Sequence, residues 1–87
     1  MIYFIQCTNG LINVGYSDRI ERVMWSLRKL CPYQHEKFIL LGKIDGTKKD
    51  LQEIYDIFKD LHSHREWYRS EPKLLTFIEN MQEFGQN

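Results

Sequence analysis

Apolar and polar residues alternate at the start of the chain in a pattern that predicts a β-hairpin. Residues 2–7 are mostly β-branched or aromatic, and the following Asn9-Gly10 is a dipeptide that favours a type I′ turn. We therefore expect a return strand over residues 11–15. Because side chains alternate along a strand, Tyr3 is expected to share one face of the sheet with the other odd-numbered residues of its strand.

The spacing of apolar residues then changes from two to three and four, which predicts a helix over about residues 18–30. Asp18 and Glu21 have the spacing of a capping box at its start, and Pro32 ends it. The apolar run 38–44 is bounded by turn residues and predicts a buried third strand.

A second helix is predicted over about residues 47–61, opened by a second capping-box pair, Thr47 and Asp50. The polar segment 62–65 is expected to be a loop, and Pro72 suits the first turn of a third helix. The order is therefore β-β-α-β-α-(short β or loop)-α. It predicts an α+β fold: a small three-stranded sheet that starts with an antiparallel hairpin and is flanked by about three helices.

Length and composition indicate one folded domain over residues 1–87 with no long-range charge bias. The chain has 87 residues, and its 12 basic side chains balance 12 acidic ones, which excludes binding to polyanions by overall charge alone. No apolar run approaches the roughly 18 residues needed to span a membrane, so a cytoplasmic protein is expected. Cys7 and Cys31 are expected to be reduced thiols, with a disulfide as the alternative.

Three motifs resemble one known family. Tyr3-Phe4-Ile5 in the first strand, Asn13-Val14-Gly15 in the return strand and Arg22 in the first helix are similar to the GIY-YIG nuclease-like superfamily. The resemblance is to its compact branch, which is common in bacteriophages, and it covers about residues 1–79. Further similar segments follow in the same order: Pro32-Tyr33, Leu40-Leu41, the helix from Ile54 to Phe58, and Arg65-Glu66-Trp67-Tyr68.

This resemblance implies metal-assisted hydrolysis of a phosphodiester in DNA. Tyr3 would orient the attacking water or act as a base, and Arg22 would neutralise the charge that develops on the phosphate. The family's second tyrosine position falls on Asn13, with Tyr16 close by on the same strand end. The remaining candidates are Arg19 and Asn13 as phosphate ligands, and Tyr16 and His35 as catalytic groups.

The family's metal-ligating glutamate has no counterpart in this chain. Counting back seven residues from Phe58 leads to Leu51, and the nearest acidic residues are Asp50 and Glu53. Asp50 is predicted to cap the helix, which leaves Glu53 as the candidate ligand for Mg²⁺ or Mn²⁺ if the helix register is shifted. The expected cofactor is one such divalent metal in an active enzyme and none otherwise.

Each candidate also has a simpler explanation. Tyr3, Trp25 and Trp67 are aromatic residues, which usually pack in a core. Arg22 lies on a basic helix face, and such a face is usually exposed to solvent without binding a ligand. His62 and His64, with Glu66, resemble a metal cluster, but a polar loop is the preferred interpretation.

Two hypotheses follow from these residues. The first is a small GIY-YIG-type endonuclease with impaired chemistry. The second is an inactive binding module of the same fold that binds nucleic acid, a nucleotide or a protein partner. A second copy of the chain is a further candidate partner, and a membrane is not expected.

Overall fold

The computed structural model of the protein describes residues 1–8, 10–30 and 37–85, and these form an α+β architecture. A 3-10 turn over Lys59–Leu61 follows the second helix. The elements are β1 (Ile2–Cys7), β2 (Ile12–Tyr16), α1 (Ile20–Leu30), β3 (Phe38–Ile44), α2 (Lys48–Ile57), β4 (His62–His64), β5 (Trp67–Tyr68) and α3 (Pro72–Gly85).

The strands form one antiparallel sheet in the order β3-β1-β2-β5-β4. The prediction of a three-stranded sheet is therefore wrong, because the described residues form a sheet of five strands. The two additional strands come from the segment 62–65, predicted to be a loop, and from the aromatic pair after it. These strands are too short to show an alternating pattern. They are held by backbone hydrogen bonds, including one of 2.9 Å from the Val14 amide to the Glu66 carbonyl.

The predicted first hairpin is confirmed. Cys7 N donates to the Leu11 carbonyl at 2.9 Å to close the turn. Gly10 has a φ of 93°, a left-handed backbone conformation that glycine adopts without steric cost. Asn9, the other predicted turn residue, lies outside the described residues.

The two faces of the sheet are covered by different helices, as the alternation along β1 predicts. One face carries Ile2 and Phe4, which belong to a buried cluster with residues of α2 and α3. The other face carries Tyr3, Ile5, Cys7 and Phe38, and the apolar side of α1 packs against it. The sheet is thus the middle layer, and Tyr3 lies on the α1 side.

Local rules explain the start of α2 better than the start of α1. The Thr47–Asp50 capping box is confirmed: Asp50 N donates to Thr47 Oγ1 at 3.3 Å, and Thr47 N donates to Asp50 Oδ2 at 2.8 Å. Asp18, predicted to open α1, instead accepts from the N-terminal ammonium at 3.5 Å. The Ser17 hydroxyl accepts from Arg19 N at 3.0 Å.

The two tryptophans differ in their environments. Trp67 packs against the α1-side cluster, with its ring 6.5 Å from that of Phe38, as expected of a packing residue. Trp25 is also predicted to pack, but it is 61% exposed, and Lys29 Nζ lies 4.8 Å from its ring centroid. The reason is helical geometry: α1 turns Ile20, Val23, Met24 and Leu27 toward the sheet, and position 25 points away from them.

None of the described helices combines the length and apolar character that crossing a membrane requires.

Candidate functional site

Tyr3 lies in the middle of a row of residues that crosses three strands. Its Cα pairs with Gly15 on β2 and with Lys43 on β3. The tyrosine is 8% exposed and its ring extends over Gly15, where the methyl group of an alanine would lie only 2.6 Å from Tyr3 Cζ. Glycine at position 15 therefore makes the room that the Tyr3 ring occupies.

Two further residues, Tyr55 and Glu66, contact Val14 in the middle of β2. The Tyr55 hydroxyl donates to the Val14 carbonyl at 2.6 Å, and the Val14 amide donates to the Glu66 carbonyl. Burial is the main cause of the raised pKa of Tyr3, and the negative charge of Glu66 raises this pKa further. Glu66 also raises the pKa of Tyr55, after the larger effects of burial and of Tyr68.

Tyr3 keeps its proton at neutral pH, as any phenol does, and its raised pKa makes ionisation still less favourable. A phenol with a pKa above its ordinary value of about 10 keeps its proton and donates a hydrogen bond. Such a group is suited to orienting a water molecule or a phosphate oxygen, and it is poorly suited to removing a proton.

A cleft of about 500 Å³ lies between the first turn of α1 and the end of β3. Three basic side chains line it, against two carboxylates, one of which accepts from the N-terminal ammonium. Within the described ranges, no carboxylate pairs with any of the three basic side chains, so their donors are available to an anion. The charged lining side chains are Arg19, Arg22, Lys43, Asp18 and Glu21.

The structure brings some of the predicted site residues together and separates others. Arg19 and Arg22 share the cleft, which takes its sheet residues from β3, whereas the Tyr3 ring extends from β1 toward β2. Asn13 is 4% exposed and lies on the Tyr3 face, opposite Ile5. Tyr16 packs against the cluster on the other face.

The residue at the position where the resemblance expects a metal-ligating glutamate cannot bind a metal ion. Leu51 is half-buried and packs against the α2-side cluster, and its side chain has no atom that can coordinate a cation. Glu53, the candidate substitute, is exposed on α2. Among the described residues, no three His, Cys, Asp or Glu side chains are grouped so as to hold a metal.

The histidines make local contacts. His62 Nε2 lies 2.6 Å from the Arg65 carbonyl, and His64 Nδ1 lies 3.0 Å from the Ser63 hydroxyl. His35, the candidate base, lies outside the described residues, as does Cys31.

Two residues, Lys43 and Tyr55, have no functional role in the sequence pattern, and Glu66 appears there only in a possible metal cluster with His62 and His64. Lys43 lies at the cleft because β3 pairs with β1 in a register that places it opposite Tyr3. This register cannot be read from the sequence of either strand alone. Tyr55 belongs to the apolar stripe of α2, which predicts packing and no other role. The sequence gives no sign that Glu66 lies near Tyr3, because that proximity depends on the pairing of β2 with β5.

Comparisons with family models, curated proteins and solved structures find no match to this chain. Its function is therefore inferred from the site geometry and from the resemblance of the motifs.

Proposed function

We propose that this chain is a GIY-YIG nuclease-like domain that binds nucleic acid through its phosphates and is impaired in hydrolysis. The observation that carries the proposal is the cleft in which Arg19, Arg22 and Lys43 lie without carboxylate partners among the described residues. A guanidinium presents a planar pair of donors that matches two phosphate oxygens, and a nearby ammonium adds a point charge.

The charge balance of the whole chain indicates how strong this binding should be. Twelve basic and twelve acidic side chains give no net field to attract a polyanion, so attraction depends on local charge. Three cations can release only a few counterions from DNA, and affinity should be modest and should fall as salt rises.

Impaired hydrolysis is supported by two placements. Leu51 offers no ligand at the position where the resemblance expects the metal ligand, and Tyr3 does not line the cleft that holds Arg22. Metal-assisted hydrolysis is the second candidate, and one observation favours it. The negative charge of Glu66 raises the pKa of Tyr3, so a carboxylate lies near the strand tyrosine, although on a turn and not on the helix where the resemblance expects the metal ligand.

Fluorescence anisotropy of a labelled 20-base-pair duplex, measured across a range of salt concentrations, tests the proposal. We expect Arg22→Ala and Lys43→Ala each to weaken binding roughly 3- to 10-fold at low salt and to reduce the salt slope by about 1. Arg28→Ala is the matched control, since Arg28 is also exposed on α1 but does not line the cleft. Equal losses in all three variants would contradict a phosphate site in the cleft.

Plasmid nicking with Mg²⁺ or Mn²⁺ separates the two candidates. Binding without cleavage supports the impaired domain. Cleavage that is lost in Tyr3→Phe supports hydrolysis, since this change removes only the hydroxyl.

A further inference from the structure

A second cavity, of about 440 Å³, lies between the end of α2 and the β4–β5 hairpin. The cleft takes its sheet residues from β3, at the opposite edge of the sheet. We call this second cavity the hairpin groove. Its principal lining residues are Tyr55, Lys59, His62, Arg65, Glu66 and Tyr68.

The floor of the hairpin groove is aromatic and fixed in position. The rings of Tyr55 and Tyr68 stack with centroids 5.6 Å apart and planes 9° apart. The ring centroids of His62 and Tyr68 are 5.2 Å apart with planes at 63°, and the Tyr55 hydroxyl donates to the Val14 carbonyl. A ligand would therefore meet a preformed surface.

Two exposed residues of the hairpin groove, His62 and Arg65, carry flat polar groups. His62 has an imidazole ring and Arg65 has a guanidinium plane, and both side chains are open to solvent. Unpaired bases stack on imidazole and guanidinium planes in many nucleic-acid complexes. The groove thus has the surface that a planar heterocycle requires.

The charges of the groove suit the other parts of a nucleotide. Within the described residues, Lys59 and Arg65 have no carboxylate partner, whereas neighbouring Lys73 is paired with Asp60 at 2.6 Å. Two cations are therefore available to a phosphate. The Glu66 carboxylate can only accept hydrogen bonds, so it would repel a phosphate and suits the N–H edge of a base.

The backbone conformation at Arg65 is unusual for a residue other than glycine. Its φ of 49° lies in the left-handed region, and it is the only positive φ of a non-glycine residue in the described part of the chain. Glycine or asparagine is favoured at such a position. The two-residue turn between β4 and β5 accounts for the positive φ, and the residue that adopts it here is an arginine that also lines the groove.

We propose that the hairpin groove binds one unpaired nucleotide of a nucleic-acid strand, with the base against His62 and Arg65 and the phosphate at Lys59. The inference rests on the proposed function and narrows its ligand to strands that contain unpaired bases. Bases in a duplex are paired and stacked on each other, so they cannot enter the groove.

Anisotropy with a labelled 12-nucleotide single strand and its matching duplex tests this proposal. We expect the native chain to bind the single strand at least about 5-fold more tightly than the duplex, because one base adds a stacking contact. Lys59→Ala and Arg65→Gly should each remove most of this preference and leave duplex affinity unchanged. Lys48→Ala is the control, because Lys48 is exposed on α2 and does not line the groove, and this change should leave the preference for the single strand intact.

Arg65→Gly also excludes unfolding as the cause of lost binding. Glycine tolerates the positive φ at position 65, so this variant should be at least as stable to heat as the native chain. A single strand with abasic sites keeps its phosphates and lacks bases. The native chain should bind this strand no more tightly than it binds the duplex.

The results that would contradict the hairpin groove differ from those that would contradict the cleft. Equal affinity for single strand and duplex, or equal effects of Lys59→Ala and Lys48→Ala, would overturn the groove and leave the cleft intact. Single-strand binding that depends on Lys59 but is insensitive to Arg22→Ala and Lys43→Ala would overturn the cleft. Absence of binding to either nucleic acid would overturn both.

Discussion

At the scale of single residues, the contact between Tyr3 and Gly15 explains two positions of the motif. The Tyr3 ring occupies the space that a side chain at position 15 would fill, and Gly15 faces it directly across the β1–β2 pair. The two residues therefore depend on each other for packing, whatever the chemistry of the site. The fold therefore explains a tyrosine and a glycine at these positions without reference to catalysis.

We predict that Gly15→Ala lowers the free energy of unfolding by about 1–3 kcal/mol, because an added methyl group overpacks a buried site. Urea unfolding followed by circular dichroism measures this loss. Tyr3→Phe in the same chain should recover only part of it, since the hydroxyl is removed but Cζ still lies 2.6 Å from the position of the new methyl group. A Gly15→Ala chain as stable as the native one would show that the ring can move aside.

At the scale of elements, the sequence predicts those elements whose signals are local. The β1–β2 hairpin, the bounds of β3 and the starts of α2 and α3 agree with the structure. The helix α2 ends at Ile57 and not near residue 61, and β3, predicted to be buried, is an edge strand that exposes Ile39 and Leu40. The β4–β5 hairpin is different, because its strands have three and two residues and are defined by their pairing with each other and with β2. Such pairing depends on residues that are distant in sequence, and no short pattern encodes it.

The capping box of α2 leads to a prediction at this scale. Thr47→Ala removes the side chain that accepts from Asp50 N, so it should lower the free energy of unfolding by about 1 kcal/mol. Thermal unfolding measures the change. Thr76→Ala is the matched control, because Thr76 is exposed within α3, where alanine is a better helix former. Equal effects of the two changes would contradict a specific capping role.

At the scale of the whole molecule, the site is assembled by the topology of the sheet. The sequence could identify Arg19 and Arg22, because they are three residues apart around the start of α1, but Lys43 joins them only through the order of the strands. The cleft and the hairpin groove take residues from the two edge strands, β3 and β4, which are four strand spacings apart, or about 19 Å. A nucleic-acid strand must span at least this distance to occupy both.

The tyrosines near Glu66 couple the stability of the whole molecule to pH. The pKa values of Tyr3, Tyr55 and Tyr68 are all raised in the folded state, mainly by burial, whereas unfolding returns them to about 10. Above pH 10 the unfolded chain therefore releases protons that the folded chain retains. The contribution of these residues to stability is complete below pH 10, and it is lost as the pH rises toward the folded-state pKa values.

We therefore predict that the urea midpoint of the native chain falls between pH 8 and pH 10.5, and that Tyr55→Phe makes this fall smaller. At pH 8 the variant should already be less stable by about 1 kcal/mol, because the Val14 carbonyl loses its 2.6 Å hydrogen bond from the Tyr55 hydroxyl. Lysines also titrate in this range, so the difference between the two chains is the informative quantity. An identical fall in both chains would show that ionisation of Tyr55 does not contribute to alkaline unfolding.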